Sequence, residues 1–436
     1  MSRASWISPK MFSSFSKHPA YAWAIWLLSA LFMFYKYALE VSPSVMTKDL
    51  MAAFHIDGAE LGNLAATYFY SYLIMQIPAG ILLDKFGPRN MTTIAMALCA
   101  GGAILFANAN TVFLACVGRF LTGAGASFAA LNCLKLVANW FPPKRFALMA
   151  GLMMTVGMLG AVGGQAPLSA FISYLGWRSA IEAIAWIGVA LVILFWLVVR
   201  DAPKHQEHIL KAKDVKRIVD GGKQIVKNKQ CWWVSIYSGL AFAPVSVFGG
   251  LWGVPFLAQY YNLSHTKSAH EVSLIFIGFA IGAPLTGWLS DRIGKRKVVM
   301  FTGTIISLFI ISFVLLSPPL PLNVLSTLLL FFGITISAFL LSFTMIREIN
   351  APIMAATAVG FMNTFNALLG AVSDPMTGKF LDLGWQGAME GGARVFPTET
   401  YRLALLTLPA YLVIALIVML FIRETFCKPQ YPASLP

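Results

Sequence analysis

Long apolar stretches separated by short polar loops run through nearly the whole chain of 436 residues. Apolar runs of about 18 or more residues are typical of membrane-spanning helices, because a helix of that length covers the hydrocarbon core. Within lipid the backbone must satisfy its own hydrogen bonds, which favours helices. The runs lack the ten-residue alternation that marks a transmembrane barrel. The pattern therefore predicts an all-α polytopic membrane protein.

The boundaries of the apolar runs predict twelve transmembrane helices. Several runs are longer than the bilayer is thick, so those helices should tilt or project from the membrane. The predicted spans are Tyr21–Val41, Leu61–Leu83, Met91–Ala107, Thr111–Trp140, Phe146–Tyr174, Ala180–Val199, Cys231–Tyr260, Val272–Ser290, Val298–Leu316, Leu322–Phe343, Ala351–Val372 and Leu403–Ile422.

Composition and charge agree with this class. The chain is 58% hydrophobic and 11% charged, whereas soluble proteins carry about a quarter charged residues. The net charge of +14 would fit a nucleic-acid partner, but the basic residues are concentrated in alternate loops, as the positive-inside rule predicts. This distribution predicts that both termini are cytoplasmic. It makes the lipid bilayer, and not nucleic acid, the expected partner.

A long polar stretch in the middle of the chain separates two six-helix halves, and a polar terminus flanks each half. We expect a cytoplasmic N-terminus at 1–20, a six-helix half at 21–199, a cytoplasmic central loop at 200–230, a second six-helix half at 231–422 and a cytoplasmic C-terminus at 423–436. The central loop has apolar residues at helical spacing among its lysines, which fits either an amphipathic helix on the membrane surface or a solvated linker. The glycine-rich loop Gly384–Thr400 is expected to be a flexible periplasmic connection.

One loop pattern occurs twice, about half a chain apart, each time between two apolar runs. The simplest explanation is an internal duplication with both halves built on one plan. The shared residues are Gly80, Asp84, Lys85, Gly87 and Arg89 in the first copy, and Gly287, Asp291, Arg292, Gly294 and Arg296 in the second.

Twelve spans in two halves, with this repeated loop, resemble the major facilitator superfamily of secondary transporters over essentially the whole chain. The signature loop of that family has the form Gly-x-x-x-Asp-(Arg/Lys)-x-Gly-x-(Arg/Lys), and both copies fit it. The run from Arg119 through Gly123 and Gly125 to Ala126 also resembles the family's fourth-span motif. The resemblance implies two pseudo-symmetric halves and a central cavity lined by the first and fourth spans of each half.

The two loops are hypothesised to be gating latches. Asp84 and Asp291 each end a helix, where a carboxylate faces the unfavourable end of the helix dipole and needs nearby basic residues. Such clusters can hold the halves together when the cytoplasmic side is closed, and glycines allow the helices to approach closely. The alternative is that both loops only fix topology and packing.

Charges inside the spans point to the substrate, because they are expensive to bury. Lys36 and Glu40 are four residues apart on one face of the first span, with Tyr35 beside the lysine, and Arg119 lies in the fourth span. The resemblance implies that these residues meet in the cavity, where two cations and one carboxylate would favour an anion. The alternatives are a structural Lys36–Glu40 pair and a packing role for Arg119.

The second half carries aromatic and amide candidates. Tyr237 and Trp252 of the seventh span are expected to form an aromatic wall that suits an amphipathic organic molecule, and Asn363 of the eleventh span is a further binding candidate. The alternative is that these residues pack helices together. Asp374 lies next to Pro375 near the outer end of the eleventh span, with a proton role as a minor hypothesis.

These features predict a secondary transporter that works by alternating access around a midplane site. A phosphate-binding loop for ATP is missing, the five cysteines form no metal or disulfide pattern, and neither a cofactor nor a metal is expected. The expected activity is proton-coupled uptake, by symport, of a small organic anion or zwitterion across a bacterial inner membrane. The substrate would be a carboxylate, an amino acid or related metabolite, or a polycarboxylate siderophore. A monomer is expected.

Two other functions remain open. The first is a proton-coupled exporter of drugs or siderophores, because the glycine-rich fifth span loosely resembles a motif of proton-driven antiporters, although its Gly-Pro pair is missing. The second is a non-transporting membrane sensor on the same fold, against which the intact loops of both halves argue. An enzyme is not expected, because the chain has no recognisable motif in which a nucleophile, a base and an orienting group converge.

Overall fold

A computed structural model describes residues 19–142, 145–201, 222–351 and 354–430. The described chain is almost entirely helical, and we refer to residues 19–201 as the N-terminal segment and to 222–430 as the C-terminal segment. Residues 202–221 of the predicted central loop lie outside the described residues, as do most of the N-terminus and the last six residues.

The N-terminal segment consists of nine α-helices and one 3-10 turn at Ser42–Val45. The helices are α1 (Pro19–Val41), α2 (Thr47–Phe54), α3 (Gly58–Phe86), α4 (Pro88–Ala107), α5 (Val112–Ala126), α6 (Phe128–Trp140), α7 (Phe146–Gly163), α8 (Ala166–Leu175) and α9 (Trp177–Val198).

The C-terminal segment continues the same helical plan, and residues 222–227 are helical before its first long helix. Its remaining elements are α10 (Lys229–Pro244), a π-helix (Val245–Trp252), α11 (Gly253–Tyr260), α12 (His265–Ile293), α13 (Arg296–Leu316), α14 (Leu322–Ile336), a 3-10 turn (Ser337–Leu340), α15 (Leu341–Ile349), α16 (Ala355–Leu383), β1 (Met389–Glu390), β2 (Ala393–Arg394), α17 (Thr398–Leu405) and α18 (Thr407–Leu420).

Several of the predicted spans are broken helices. The predicted seventh span changes from α-helix to π-helix after Pro244, because proline has no N–H to donate to the preceding turn. The predicted fifth span breaks at Gly164–Gln165. The next helix, α8, begins at Ala166, and Pro167 lies in its first turn, a position that proline favours.

Ten helices or helix runs of the described chain are long and apolar enough to cross a membrane. The protein is therefore a multi-pass membrane protein. The long helices α3 and α16 are not among these ten. Each has 29 residues and, at about 1.5 Å per residue, a length of roughly 43 Å. Both carry inward-facing polar residues, which lower their hydropathy.

The predicted end of the eleventh span was wrong. The sequence analysis ended that span at Val372, but α16 continues to Leu383. Pro375 lies inside the helix and does not end it. As a result, Asp374 is a buried residue inside α16 and does not lie at its end.

Helices α3 and α16 run antiparallel and form the closest contact between the two segments. Their backbones touch where glycines remove the side chain: Gly58 packs against Gly378, and a Cβ on Gly62 would lie 2.7 Å from Pro375 Cα. Further along the pair, a Cβ on Gly80 would meet no atom within 4 Å. The two helices therefore meet at one end and separate toward the other.

The long helices end at two faces of the molecule. We call the first the terminal face, and it carries the connections at 87–89, 199–201, 294–297 and 350–351 together with the C-terminal stretch 421–430. We call the face at the other end of the helices the opposite face, and it carries the connections at 42–57, 108–111, 261–264, 317–321 and 384–397. Helices α3 and α16 meet at the opposite face and separate toward the terminal face.

The loop expected to be a flexible connection contains a β-hairpin on the opposite face. Met389 pairs with Arg394 and Glu390 with Ala393. The two-residue turn is Gly391–Gly392, with φ values of 57° and 86°. A tight hairpin turn needs positive φ at both central residues, which glycine adopts without strain. The hairpin holds Arg394 and Glu390 against the N-terminal segment.

Candidate functional site

A cavity lies between the two segments, near the middle of the long helices. It contains about 940 Å³ of space between atoms, including the part continuous with solvent. Four charged residues contribute to its wall: Lys36, Glu40 and Arg119 of the N-terminal segment, and Asp374 of the C-terminal segment. Charged side chains at this depth are rare and are typical of functional sites.

Lys36 and Glu40 form the predicted pair along α1. Lys36 Nζ lies 2.8 Å from Glu40 Oε2, and Lys36 is only 4% exposed. The hydroxyl of Tyr68 donates to the same carboxylate oxygen at 3.0 Å. Lys36 Nζ also lies 3.4 Å from the ring centroid of Tyr37 and 5.4 Å from that of Tyr72. The ammonium group is held by a carboxylate and by aromatic faces, an arrangement that stabilises a desolvated cation.

Arg119 of α5 is buried, at 3% exposure, and binds backbone carbonyl groups. Nη1 donates to Leu39 O at 2.7 Å, and Nη2 donates to Glu40 O at 3.3 Å and to Ala65 O at 3.4 Å. Two of these acceptors lie in the last turn of α1, where carbonyl groups have no helical partner. Arg119 therefore fixes the end of α1 against α3 and brings its positive charge to the cavity wall.

Asp374 is the charged residue that the sequence analysis left out of the site. It is 2% exposed and belongs to α16. With both carboxylates ionised, the two negative charges of Glu40 and Asp374 cancel the positive charges of Lys36 and Arg119. The expected net positive cavity therefore requires one carboxyl group to be protonated. The available signal was an acidic residue next to a proline in an otherwise apolar run.

An amide cluster crosses the cavity between α3 and α16. Asn363 Nδ2 donates to the hydroxyl of Tyr72 and to Gln76 Oε1, both at 3.3 Å. Asn366 Nδ2 lies 3.4 Å from Asn363 Oδ1, and Ser238 Oγ donates to Asn366 Oδ1 at 2.9 Å. Asn363 lines the cavity as expected for a binding residue, and it also joins the two segments.

Three predicted site residues lie away from the cavity. Tyr35 is buried, with its hydroxyl against Gly188. The hydroxyl of Tyr237 is 2.9 Å from Thr304 Oγ1. Trp252 is fully buried, and its indole N–H donates to the carbonyl oxygen of Asp374 at 3.2 Å. Tyr237 and Trp252 of the predicted seventh-span stripe are thus buried between helices and do not line the cavity.

Phenylalanines from several helices form the aromatic wall instead. Phe242 of α10 lies 5.5 Å, between ring centroids, from Phe339, which is also 5.8 Å from Phe279 and 6.3 Å from Phe343. All four line the cavity together with Phe276. Sequence reasoning missed them because they come from separate parts of the chain. They converge only through the packing of α10, α12 and the turn after α14.

The first repeated loop is held inside the N-terminal segment. The Arg89 backbone N–H donates to Asp201 Oδ1 at 2.6 Å, and its guanidinium donates to Trp196 O at 2.7 and 3.1 Å. Gly87 has φ 82°, and a Cβ there would lie 2.7 Å from Asp201 Oδ2. Lys85 Nζ lies 5.0 Å from the ring centroid of Phe86. The side chain of Asp84 lies outside the described side chains.

The second repeated loop is held inside the C-terminal segment. The Arg296 guanidinium forms ion pairs with Asp291 and, at 3.0 Å, with Glu348, and its backbone N–H donates to Glu424 Oε1 at 2.8 Å. Arg292 lies 5.3 Å from the ring of Trp288. Gly294 has φ 72° at the end of α12, and a Cβ on Gly287 would meet no atom within 4 Å.

Comparison with known families identifies this architecture. Residues 25–373 match the family model described as Major Facilitator Superfamily. The chain belongs to this superfamily. The match covers the cavity charges of α1 and α5, both repeated loops and most of α16, so the family expectation drawn from the motifs is confirmed.

Curated relatives of this superfamily member are named as transporters. The chain is 28% identical over 292 residues to the "Uncharacterized transporter YybO" of Bacillus subtilis, covering 62% of this chain and 66% of that protein. It is 23% identical over 370 residues to the "Probable sulfoacetate transporter SauU" of Cupriavidus necator, covering 81% and 85%. These names agree with a protein that is not an enzyme.

The fold agrees with a solved structure. A bacterial homologue of the human lysosomal transporter Spinster, in an inward-facing and unoccupied conformation, superposes with a TM-score of 0.77. The likeness covers 96% of this chain and 100% of that one at 17% sequence identity. At this identity the comparison establishes a common fold, while the substrate has to be argued from the cavity.

Proposed function

We propose that this protein is a secondary transporter that takes up a small organic anion or zwitterion through the cavity between its segments, coupled to protons. The observation that carries the proposal is the buried Lys36 on the cavity wall, close to the buried Arg119. Burying these cations is expensive unless they are compensated. An anionic group of a ligand would supply that compensation at the centre of the protein.

The aromatic side of the cavity narrows the ligand class. Phenylalanines on the C-terminal segment face the charges on the N-terminal segment, so one end of the ligand meets rings while the other meets cations. An amphipathic organic anion suits this surface better than an inorganic ion does. The relative named for sulfoacetate, a two-carbon carboxylate with a sulfonate group, agrees with an organic acid.

The finer topology belongs to the same proposal. Adding α3 and α16 to the ten candidate spans gives twelve, six in 21–199 and six in 231–422, joined by 200–230. Both helices are long enough to cross a bilayer, and their polar residues point toward the cavity and the partner segment. The concentration of lysine and arginine on the terminal face supports a cytoplasmic location for both termini in a bacterial inner membrane.

The two repeated loops act in this proposal as latches of the terminal face. Here Arg89 and Arg296 are each held within their own segment, while Gly80 and Gly287 have open space around them. These two glycines leave room for helices to approach when the terminal face closes. The anion would then be released or admitted at the opposite face.

A thermal-shift screen of the purified protein tests the ligand class. The panel contains sulfoacetate, aliphatic and aromatic carboxylates, amino acids, dipeptides and lipophilic cations. A ligand that binds only the folded state raises the melting temperature. We expect organic anions or zwitterions to stabilise the wild type, and Lys36→Gln to abolish that shift.

Two further variants make the result specific. Arg119→Gln should also lose the shift, but it removes the hydrogen bonds that fix α1, so its melting temperature without ligand must be measured too. Lys379→Gln is the matched control, because Lys379 is an exposed lysine of α16 and should respond like the wild type. Stabilisation by lipophilic cations alone, or an unchanged response of Lys36→Gln, would contradict the proposal and favour the exporter.

Uptake by cells decides the direction of transport. Cells that express the protein should accumulate a labelled anion found in the screen, and a protonophore should abolish the accumulation. Reduced accumulation with raised resistance to a toxic compound would instead indicate export. Binding without movement in either direction would indicate a sensor.

A further inference from the structure

We propose that Asp374 is the proton-exchanging carboxyl group of the cavity, and that its protonation gives the cavity the net positive charge that admits an organic anion. The nature of the ligand rests on the proposed function, whereas the role of Asp374 as a proton site rests on its own geometry. The proposal gives the transporter a defined residue that links anion binding to proton uptake.

Asp374 lies at the crossing of α3 and α16. Its side chain is buried yet borders the cavity. Its backbone carbonyl accepts the indole N–H of Trp252 and packs against Gly62 of the other segment. Because the backbone is fixed from both sides, the carboxyl group is presented to the cavity from a rigid part of the interface.

The carboxyl group of Asp374 is not satisfied in the way that structural carboxylates are. Among the described residues, its Oδ1 has no hydrogen-bond partner. By contrast, the carboxylate of Asp382, two helical turns further along α16, accepts from two backbone N–H groups and from Arg394 at 2.7 to 2.9 Å. Burying an unpaired carboxylate is costly, and protonation removes most of that cost.

The groups facing Asp374 decide what its protonation does. They come from α1, α3, α5 and α18 and comprise Lys36 and Glu40, Tyr68 and Tyr70, Arg119, and Tyr411. Glu40 Oε2 accepts from Lys36 Nζ at 2.8 Å and from the Tyr68 hydroxyl at 3.0 Å. With Glu40 ionised, the four charged residues sum to zero when Asp374 is ionised and to +1 when it is protonated.

This arithmetic makes proton and anion binding cooperative. Protonation increases as pH falls, so anion affinity should rise as pH falls. In the pH range where Asp374 of the free protein is ionised, each bound anion should bring about one proton with it. Its affinity should then change by about tenfold per pH unit, and the reciprocal effect of the anion on proton binding follows by linkage.

The first experiment needs no ligand. Infrared difference spectra of the purified full-length protein are recorded while the pH is stepped, and the C=O stretch of a protonated carboxyl group is followed. We expect a titrating acid band in the wild type that is lost in Asp374→Asn. Glu399→Gln, which changes an exposed carboxylate paired with Arg402, should keep the band. A band that persists unchanged in Asp374→Asn would overturn the proposal.

Asp374→Glu addresses the case in which the asparagine variant does not fold. It retains a carboxyl group one methylene further from the helix, so the acid band should remain and shift in frequency and titration midpoint. An identical band at an identical midpoint in Asp374→Glu and the wild type would assign the proton to another residue.

The second experiment counts protons directly. Sulfoacetate, or benzoate if it stabilises the protein better, is added to the protein in weakly buffered solution with a pH indicator. The wild type should take up about one proton per bound anion, whereas Asp374→Asn should bind the anion with no proton uptake and with little dependence on pH. Equal uptake by both proteins would overturn the proposal.

Failure of the two proposals can be distinguished. If neither anion binds the wild type, the proposed ligand class is wrong, and the infrared band alone decides whether Asp374 exchanges a proton. If the anions bind but the wild type shows no acid band and no proton uptake, the ligand class stands and the role of Asp374 is wrong.

Discussion

The opposite face and the terminal face use the same kinds of polar contact in different ways. On the opposite face the contacts cross between the segments. Asp382 of α16 accepts from the N–H groups of Gly58 and Ala59 at the start of α3, at 2.9 and 2.7 Å. Arg394 of the hairpin joins Asp382 at 2.8 Å and Asp57 at 3.8 Å.

On the terminal face, the described contacts of the repeated loops stay within one segment. Arg89 binds the end of α9 and Asp201, and Arg296 binds Glu348 and the C-terminal stretch at Glu424. Each segment therefore has its own polar cluster here. The terminal face can open or close without breaking these clusters.

The difference shows which contacts join the two segments. A carboxylate at the N-terminus of a helix is favoured both by the free N–H groups and by the helix dipole, so Asp382 forms a strong bridge between the segments on the opposite face. The structure is closed at the opposite face, and the helices separate toward the terminal face. The following four predictions test this comparison, from the largest expected effect to the smallest.

Gly62→Leu should have the largest effect, because it forces the opposite face apart. A Cβ at this position would already lie 2.7 Å from Pro375 Cα, and overpacking a tight contact typically costs about 1–3 kcal/mol. Spin labels at two exposed positions, Tyr174 and Leu383, in a background without the five native cysteines should move apart. Gly80→Leu is the control, since open space surrounds Gly80, and it should leave that distance unchanged.

Asp382→Asn should weaken closure of the opposite face without forcing it apart. It removes the negative charge that accepts two backbone N–H groups and Arg394, a loss of about 2 kcal/mol from the closed arrangement. The same pair of labels should show a mixture of short and long distances. A distribution identical to that of the wild type would mean that glycine packing alone closes this face.

Asp84→Asn tests whether the terminal face has a latch that acts only when it closes. Under the latch hypothesis, uptake should fall by about tenfold, the effect of losing roughly 1.4 kcal/mol from the closed terminal face, while membrane insertion stays intact. The opposite-face label distance should remain short. Full uptake in this variant would contradict the latch hypothesis and favour the alternative that the repeated loop only fixes topology and packing.

Glu390→Gln should have the smallest effect. Its exposed ion pair with Lys48 crosses between the segments, and exposed pairs contribute little and weaken with salt. The hydrogen bond from Lys48 lowers the pKa of Glu390. The pair therefore favours closure above the ordinary pKa of a glutamate, and this contribution is lost as pH falls through the lowered pKa. The wild type should show a small opening at acidic pH that Glu390→Gln lacks.

Local sequence patterns predicted part of the candidate site. The Lys36–Glu40 pair was predictable because residues four apart on a helix are neighbours, and both repeated loops were recognisable from their spacing. Asp374 was named with only a minor proton hypothesis, because it lies next to Pro375 near the predicted outer end of its span. Proline is nevertheless tolerated inside membrane helices when its surroundings satisfy the freed carbonyl groups. The phenylalanine wall is assembled from separate helices, so no single stretch of sequence marks it.

The sequence by itself determined the class of the protein and its superfamily, because hydropathy and motif spacing are properties of consecutive residues. Only the tertiary structure decided which charges share the cavity and which face is closed. Those outcomes depend on how α3 crosses α16, where Gly58 and Gly62 meet residues more than 300 positions away along the chain. Such contacts arise from packing between distant helices, which no local pattern of residues specifies.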